Sequence, residues 1–433
     1  MQGLVVLGAG LAGLGCARLH PGCRVFEAAA HAGGHAYSHL QGGVYFDQGA
    51  HISHTKDADF SRLIHGCAGD VVPVSPSVVR NVWQGRWISY PVQNHLHDLP
   101  LELRGQALTD LIAAHVAGAG GEPENYREWC LRQYGACLTE RFYDVFTAKY
   151  WRLPAHELAT DWLGGRLLPS QLPRIVRGAL GLPDEEQAVF ARFHYPRRGG
   201  FYGFFSPLAD GLNLCLNERA AEIDTEQRRI RFHSGRVEFY EHLASSIPLP
   251  TLAAITMDLP NDLREAARRL RHTRLLCVNL VVARPWLTDC HWFYCYDAAL
   301  DAARVSVPSN LAPGSVPADC TALQAEVFRL PDESLVVDEI VERTVAQLGA
   351  LLQFQPGELR HVGHTLAPFA YVISDHQRAP IVTALRSWYE ARGVFTMGLY
   401  GRWKYVWSDE AYRQGQETAR AILTRTGRSA QAA

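Results

Sequence analysis

Short apolar runs broken by glycine alternate with longer stretches whose apolar residues recur three and four apart, so strand and helix signals trade places along the chain. The first cycle is the clearest. Residues 4–7 are an apolar run, Gly8-Ala9-Gly10-Leu11-Ala12-Gly13 follows at once, residues 14–19 read as helix, and Arg24-Val25-Phe26 is a second apolar run ending in Glu27. The pattern predicts strand, glycine turn, helix, strand and acid, with a loop completing residues 1–65. Residues 78–90, centred on Gln84-Gly85-Arg86, read as a hairpin. From about 101 to 180 the spacing is helical. Strand patterns return at 219–224 and 229–232 around a polar turn, then at 275–283, 292–296, 325–329 and 363–367. Residues 394–397 form a last apolar strand running into Gly398, and 408–423 a last helix.

Such an order predicts an α/β protein: a Rossmann-like dinucleotide-binding domain, a helical insert and a second, antiparallel β-sheet domain. The 433 residues exceed what one simple core holds, so two or three domains are expected. The dinucleotide domain is expected to be discontinuous, from 1–70, 190–255 and 370–425, because the last strand and helix are free to complete its sheet. A helical substrate domain is expected at 100–189, a β-sheet substrate domain from 71–99 and 256–369, and a loose tail at 426–433.

Composition narrows the class without naming it. Hydrophobic residues make up 47% and charged ones 20%, as in an ordinary soluble enzyme. A net charge of −2 supplies no basic field for nucleic acid. The ten cysteines are scattered with no C-x-x-C, which fits reduced thiols in a cytoplasmic protein. No run of eighteen apolar residues exists, so no membrane span is expected. The apolar start lacks a basic segment and is not read as a signal peptide. The pairs His31/His35 and His361/His364 have metal-like spacing but no third ligand, and are read as non-metal.

The glycines carry the first chemistry. Gly8 allows a tight turn, Gly10 lets backbone approach a pyrophosphate, and Gly13 lets helix pack on strand. The helix N-terminus then offers free N–H groups to phosphates. Glu27 is placed to accept from ribose hydroxyls. A second glycine pair, Gly33-Gly34 with His35 after it, follows within His31 to Ser38 and favours FAD over NAD. At the far end Gly398-Leu399-Tyr400-Gly401 leads to Ser408-Asp409 and a helix, a second N-terminus able to face the same cofactor.

Finer motifs give a family resemblance. Gly49-Ala50-His51-Ile52-Ser53-His54-Thr55, Trp87-Ile88-Ser89-Tyr90-Pro91-Val92-Gln93-Asn94, the stretch 142–151, Tyr195-Pro196-Arg197-Arg198-Gly199-Gly200 and Trp403-Lys404-Tyr405 occur in order over nearly the whole chain. Together they resemble UDP-galactopyranose mutase, especially its eukaryotic type, within the amine oxidase and protoporphyrinogen oxidase superfamily. The resemblance implies that His51 and Gly49 sit beside the flavin. It implies that Arg166 and Arg304 contact a substrate diphosphate and that Tyr371 and Tyr405 donate to it. Two forked guanidiniums and two phenols suit phosphate oxygens. Tyr90, Gln93, Asn94, Thr147, Trp151 and Tyr294 are the implied base and sugar contacts, although Trp151, Trp162 and Trp403 also read as packing.

Where the family carries an aromatic, Ser53 stands here; Thr147 stands where the eukaryotic type has Asn; Val92 replaces a Phe; and His35 replaces the commoner Asn or Arg. The implied diphosphate clamp is kept while base and sugar contacts differ, which points to a relative acting on another nucleotide sugar. The implied reaction is pyranose/furanose interconversion, in which N5 of FAD, first reduced by a donor such as NAD(P)H, attacks the anomeric carbon. Its alternatives are an FAD-dependent oxidase or dehydrogenase of the amine oxidase type and a non-catalytic FAD-binding relative.

Overall fold

The computed structural model describes residues 3–425 apart from 21, 75, 119, 165, 168 and 183–191, so the tail expected at 426–433 lies outside the described residues. The apolar run Leu4–Leu7 is buried at all four positions, as a strand covered on both faces must be. It is the middle strand of a five-stranded parallel sheet in the order Val394–Thr396, His242–Ser245, Leu4–Leu7, Arg24–Phe26, Asn213–Cys215. The last strand thus returns to the first sheet as expected. His242–Ser245 and Asn213–Cys215, also members of that sheet, were not among the expected strands.

The terminal helix Ser408–Arg425 crosses the first helix, Leu11–Leu19, backbone against backbone. A Cβ at Gly415 would lie 1.9 Å from the Ala12 carbonyl oxygen, and one at Gly15 would lie 2.3 Å from that of Tyr412. Glycine on both helices is what permits this approach.

A second sheet has seven strands, in the order Leu359–Ala367, Arg274–Val282, Thr321–Arg329, Arg304–Ser306, Trp292–Cys295, Val79–Trp83, Arg86–Ser89. Every neighbouring pair is antiparallel except Trp292–Cys295 with Val79–Trp83. The hairpin falls where expected, turning on Gln84 and Gly85 at φ 51° and 72°, the positive pair a tight hairpin needs. Both faces of the central strands are covered. Leu276, Val327, Val278 and Leu280 face helix Val337–Leu352, which the sequence reading did not anticipate, through Ile340, Leu348 and Leu352. Leu275, Cys277 and Phe328 point the other way, toward Tyr371 and Tyr150.

The helical region contains Leu101–Ala117, Tyr126–Leu138, Asp144–Tyr150 and Leu172–Ala179 around a core of Tyr134, Phe142, Tyr143 and Trp151. The described residues of 151–171, a range expected to continue the helical pattern, are irregular apart from the short turn Ala155–Glu157. Arg152 has φ 59°, and Pro154 follows it, so the helix cannot run on. All ten cysteines are free. No described helix is long and apolar enough to cross a membrane.

Candidate functional site

A cavity of about 640 Å³ opens at the carboxyl ends of the parallel strands, lined there by Gly8, Glu27, Ser246 and Gly398. This is where open α/β sheets bind ligands, because the strands diverge and their following turns face one crevice. The seven-stranded sheet closes the other side through Leu275, Tyr294 and Arg304.

Backbone builds the outer end. Gly8 has φ 90°, and a Cβ at Gly13 would lie 1.9 Å from the Gly8 carbonyl oxygen, so Gly13 packs the helix on the turn and does not line the cavity. Gly10 precedes helix Leu11–Leu19 with no side-chain cap, leaving first-turn N–H groups at the cavity wall. The second glycine pair does more than admit a cofactor. Gly33 N–H donates to the Ala9 carbonyl at 2.9 Å, and a Cβ at Gly34 would lie 3.0 Å from the Gly10 Cα. The two glycine segments form one cradle. Glu27 accepts from Ala9 N–H at 2.7 Å and Ala29 N–H at 2.8 Å, so backbone fixes the carboxylate at the wall. Arg219 and His233, which no motif announced, line the same end. An uncapped helix N-terminus, a glycine cradle and a held carboxylate fit an extended dinucleotide.

The second helix N-terminus is different. Ser408 and Asp409 line the cavity, but the helix's own acids already serve its first turn. Glu410 accepts from Trp407 N–H at 2.8 Å, and Asp409 accepts from Glu410 N–H at 2.8 Å and from Thr55 Oγ1 at 2.6 Å. This helix braces the wall and leaves less for a phosphate than the first helix does.

Two histidines sit midway. The rings of His35 and His51 meet edge to face at 5.4 Å, and His51 stacks on Phe201 at 5.0 Å. His51 Nδ1 lies 2.8 Å from the Gly49 carbonyl, which requires it to carry the proton. Burial lowers His35 to about 3 and His51 to about 4, so both are neutral at pH 7. His54 lies against Trp407, 4.5 Å between rings.

Side chains build the inner end. Arg304 forms a bidentate pair with Glu326, Nε to Oε2 at 3.0 Å and Nη2 to Oε1 at 2.8 Å. Glu326 is fully buried and also accepts from Ala50 N–H at 2.5 Å, so it ties the arginine to the His51 loop. The sequence reading missed Glu326. Its signal was a lone acid in an otherwise uncharged strand, Thr321 to Phe328. Tyr371 and Tyr405 pack with tilted rings at 5.4 Å, and burial raises both phenols, which keeps their protons for donation. Trp403, two residues before Tyr405, is buried with φ 49°. A bulky residue in that conformation costs about 1–3 kcal/mol and persists only where its surroundings hold it.

Arg166 does not line the cavity; it stands behind the wall. Its guanidinium lies 4.5 Å from the Tyr405 ring centre and 5.2 Å from that of Trp407. It donates to the Tyr405 carbonyl at 2.9 Å and pairs with Glu410 at 3.3 Å. The implied base and sugar contacts other than Tyr294 lie farther back. Tyr90 packs on Tyr294 at 5.4 Å. Gln93 accepts from the Tyr143 hydroxyl at 2.9 Å, and the Asn94 carbonyl abuts Gly178, where a Cβ would come within 2.0 Å. Thr147 is buried, its carbonyl accepting from Trp151 N–H at 2.9 Å, and Trp151 packs against Trp162 at 5.0 Å. Among the implied substrate residues, Arg304, Tyr371, Tyr405 and Tyr294 meet at the cavity.

The chain superposes on solved structures over 98% of its length. A structure of reduced UDP-galactopyranose mutase matches at TM-score 0.91 and 24% identity, covering 98% of this chain and 96% of that one. A protoporphyrinogen oxidase candidate from Exiguobacterium sp. 255-15 matches at TM-score 0.75 and 17% identity, covering 98% and 99%. A redesigned putrescine oxidase matches at TM-score 0.64 and 15% identity, covering 98% and 99%. At these identities the likeness is one of fold. Residues 11–423 match the family model of flavin-containing amine oxidoreductases, and the chain belongs to that family.

Proposed function

We propose that this protein is a cytoplasmic, FAD-dependent nucleotide-sugar mutase that interconverts the pyranose and furanose forms of a UDP-galactose-like or related substrate, with FAD kept reduced by a donor such as NAD(P)H. The observation that carries the reading is the meeting of Arg304, Tyr371, Tyr405 and Tyr294 at the inner end of a cavity whose outer end is a glycine cradle. FAD, when bound and reduced, supplies the nucleophile for the anomeric carbon. Gly8, Gly10 and Gly34 would admit its phosphates, and Glu27 its ribose. Arg304 would stabilise charge growing on the departing diphosphate, and Glu326 would hold the guanidinium fork in place. Tyr371 and Tyr405 would donate to the same oxygens. Neutral His35 and His51 add no competing cation there. The rings of Tyr294, Tyr371 and Tyr405 at the cavity wall would shield the reacting carbon from water.

The test is incubation of the dithionite-reduced holoprotein with UDP-galactofuranose and a panel of furanosyl nucleotides, followed by chromatography of the ring isomers. No isomer from any member of the panel would sink the reading. A second reading, an oxidase of the amine oxidase type, is favoured by the match of residues 11–423 to the model of flavin-containing amine oxidoreductases. Oxygen uptake and peroxide on adding amines to the oxidised protein would support it.

A further inference from the structure

Two of the three side chains proposed to meet the diphosphate, Tyr371 and Tyr405, sit on backbone outside long helices and strands, and so does Arg166, which braces Tyr405 from behind. Arg166 lies within 159–171, Tyr371 just after strand Leu359–Ala367, and Tyr405 between helices Gly398–Gly401 and Ser408–Arg425. Irregular backbone aims a side chain only where a neighbour fixes it. One residue reaches all three segments. Arg378, at the start of helix Arg378–Glu390, is 8% exposed and lies outside the cavity lining. Its Nη1 donates to the carbonyl of left-handed Trp403 at 2.9 Å, two residues before Tyr405. Its Nη2 is ion-paired with Asp161, five residues before Arg166. Its own backbone N–H donates to Asp375 Oδ1 at 3.0 Å, in the segment that leads from Tyr371. That segment is joined to the Arg166 side of the wall, where Ala159 N–H donates to the Ser374 carbonyl at 2.8 Å and Leu158 bridges Asp375.

We infer that Arg378 is a positioning residue for the substrate-binding wall. Its planar fork holds Trp403 in the left-handed conformation that aims Tyr405, and holds the Asp161 loop that places Arg166. A lysine offers one point charge and cannot span both partners in that geometry. The hydrogen bonds and ion pair of Arg378 run to Trp403, Asp161 and Asp375 and not to the glycine cradle, so the inference concerns the substrate end. Only the identity of the ligand rests on the nucleotide-sugar reading; the positioning itself does not.

The test uses the FAD-loaded protein and the variants Arg378→Gln, Arg378→Lys and Asp161→Asn. UDP affinity is measured by fluorescence titration, kcat and KM by isomer formation from UDP-galactofuranose, and flavin content by absorbance. Arg378→Gln is expected to keep wild-type flavin content and spectrum while UDP binding weakens roughly tenfold or more, with KM rising more than kcat falls. Asp161→Asn, which frees only the Arg166 loop, is expected to show a smaller loss, and Arg378→Lys to recover part of it. Wild-type UDP affinity in Arg378→Gln would overturn the inference. If the wild-type protein binds no UDP, the nucleotide reading falls, and a crystal structure of Arg378→Gln decides the inference by itself: Trp403 and Tyr405 displaced supports it, both in place overturns it. Should Arg378→Gln not fold, Asp161→Asn decides in the same two ways through the position of Arg166.

Discussion

At the outer end of the cavity, backbone makes the site: glycines at 8, 10, 33 and 34, an uncapped helix and a carboxylate held by two N–H groups. At the inner end, side chains make it: Arg304 needs Glu326, Tyr405 follows a strained tryptophan, and Arg166 leans on the wall from behind. A site made of backbone is local in sequence and intolerant of a single added carbon. A site made of paired side chains draws on residues far apart and loses function in graded steps. Each end should therefore fail in its own way.

The sharpest break is expected at Gly13. A valine there drives its Cβ into the Gly8 carbonyl, and the purified protein should carry no flavin by absorbance. A variant with normal flavin content would refute the cradle. Next is Glu326→Ala, which leaves the Arg304 charge buried without its partner and should lower unfolding free energy in urea by about 3–5 kcal/mol. If stability is unchanged, the pair is not a strut. Arg304→Lys keeps the charge but loses the fork. Its kcat/KM should drop by about 10²–10³, with flavin content intact. Loss of flavin together with activity would blur the two ends into one.

Acid should separate the ends more gently. A histidine whose folded pKa lies below its unfolded value binds fewer protons in the native state, so stability is full above the unfolded value and is lost as pH falls. For His35 and His51, lowered to about 3 and about 4 from 6.5, unfolding free energy should decline from pH 6.5 toward 4. His51→Gln should flatten that decline, and an identical slope in the variant would remove His51 from the account. The smallest effect is expected from Glu27→Gln, which keeps one acceptor for the two N–H groups. Flavin affinity, by titration of apoprotein, should weaken by about 1 kcal/mol; no change would mean the charge is idle there.

How far each end could be read from the chain follows from the same contrast. The cradle was legible because turn, helix and strand are contiguous and each glycine at that spacing answers a local backbone need. The return of strand Val394–Thr396 was legible from its apolar run. Strand His242–Ser245 was not, because four residues with a mixed pattern become a strand only when flanked by partners more than a hundred residues away. Helix Val337–Leu352 had a readable stripe in Ile340, Thr344, Leu348 and Leu352, and was passed over. At the inner end, Arg304 was named but its partner was not, since the pairing of Thr321–Arg329 with Arg304–Ser306 is a matter of register. The partner of Gln93 was not legible either, because an amide in a turn presents the same letter whether it meets a nucleotide or, as here, accepts from the Tyr143 hydroxyl.

The crossing of Gly15 and Gly415 also sets an order in time. The two glycines are 400 residues apart in the chain, and each seats the backbone of the other helix. At roughly 5–20 residues per second, a ribosome needs about 20–80 s between making the first and making the second. Through that interval the glycine cradle exists as sequence but lacks its outer layer. Gly398, Ser408 and Asp409 line the same cavity as Gly8 and Gly10, so its wall is complete only once residue 409 has been made.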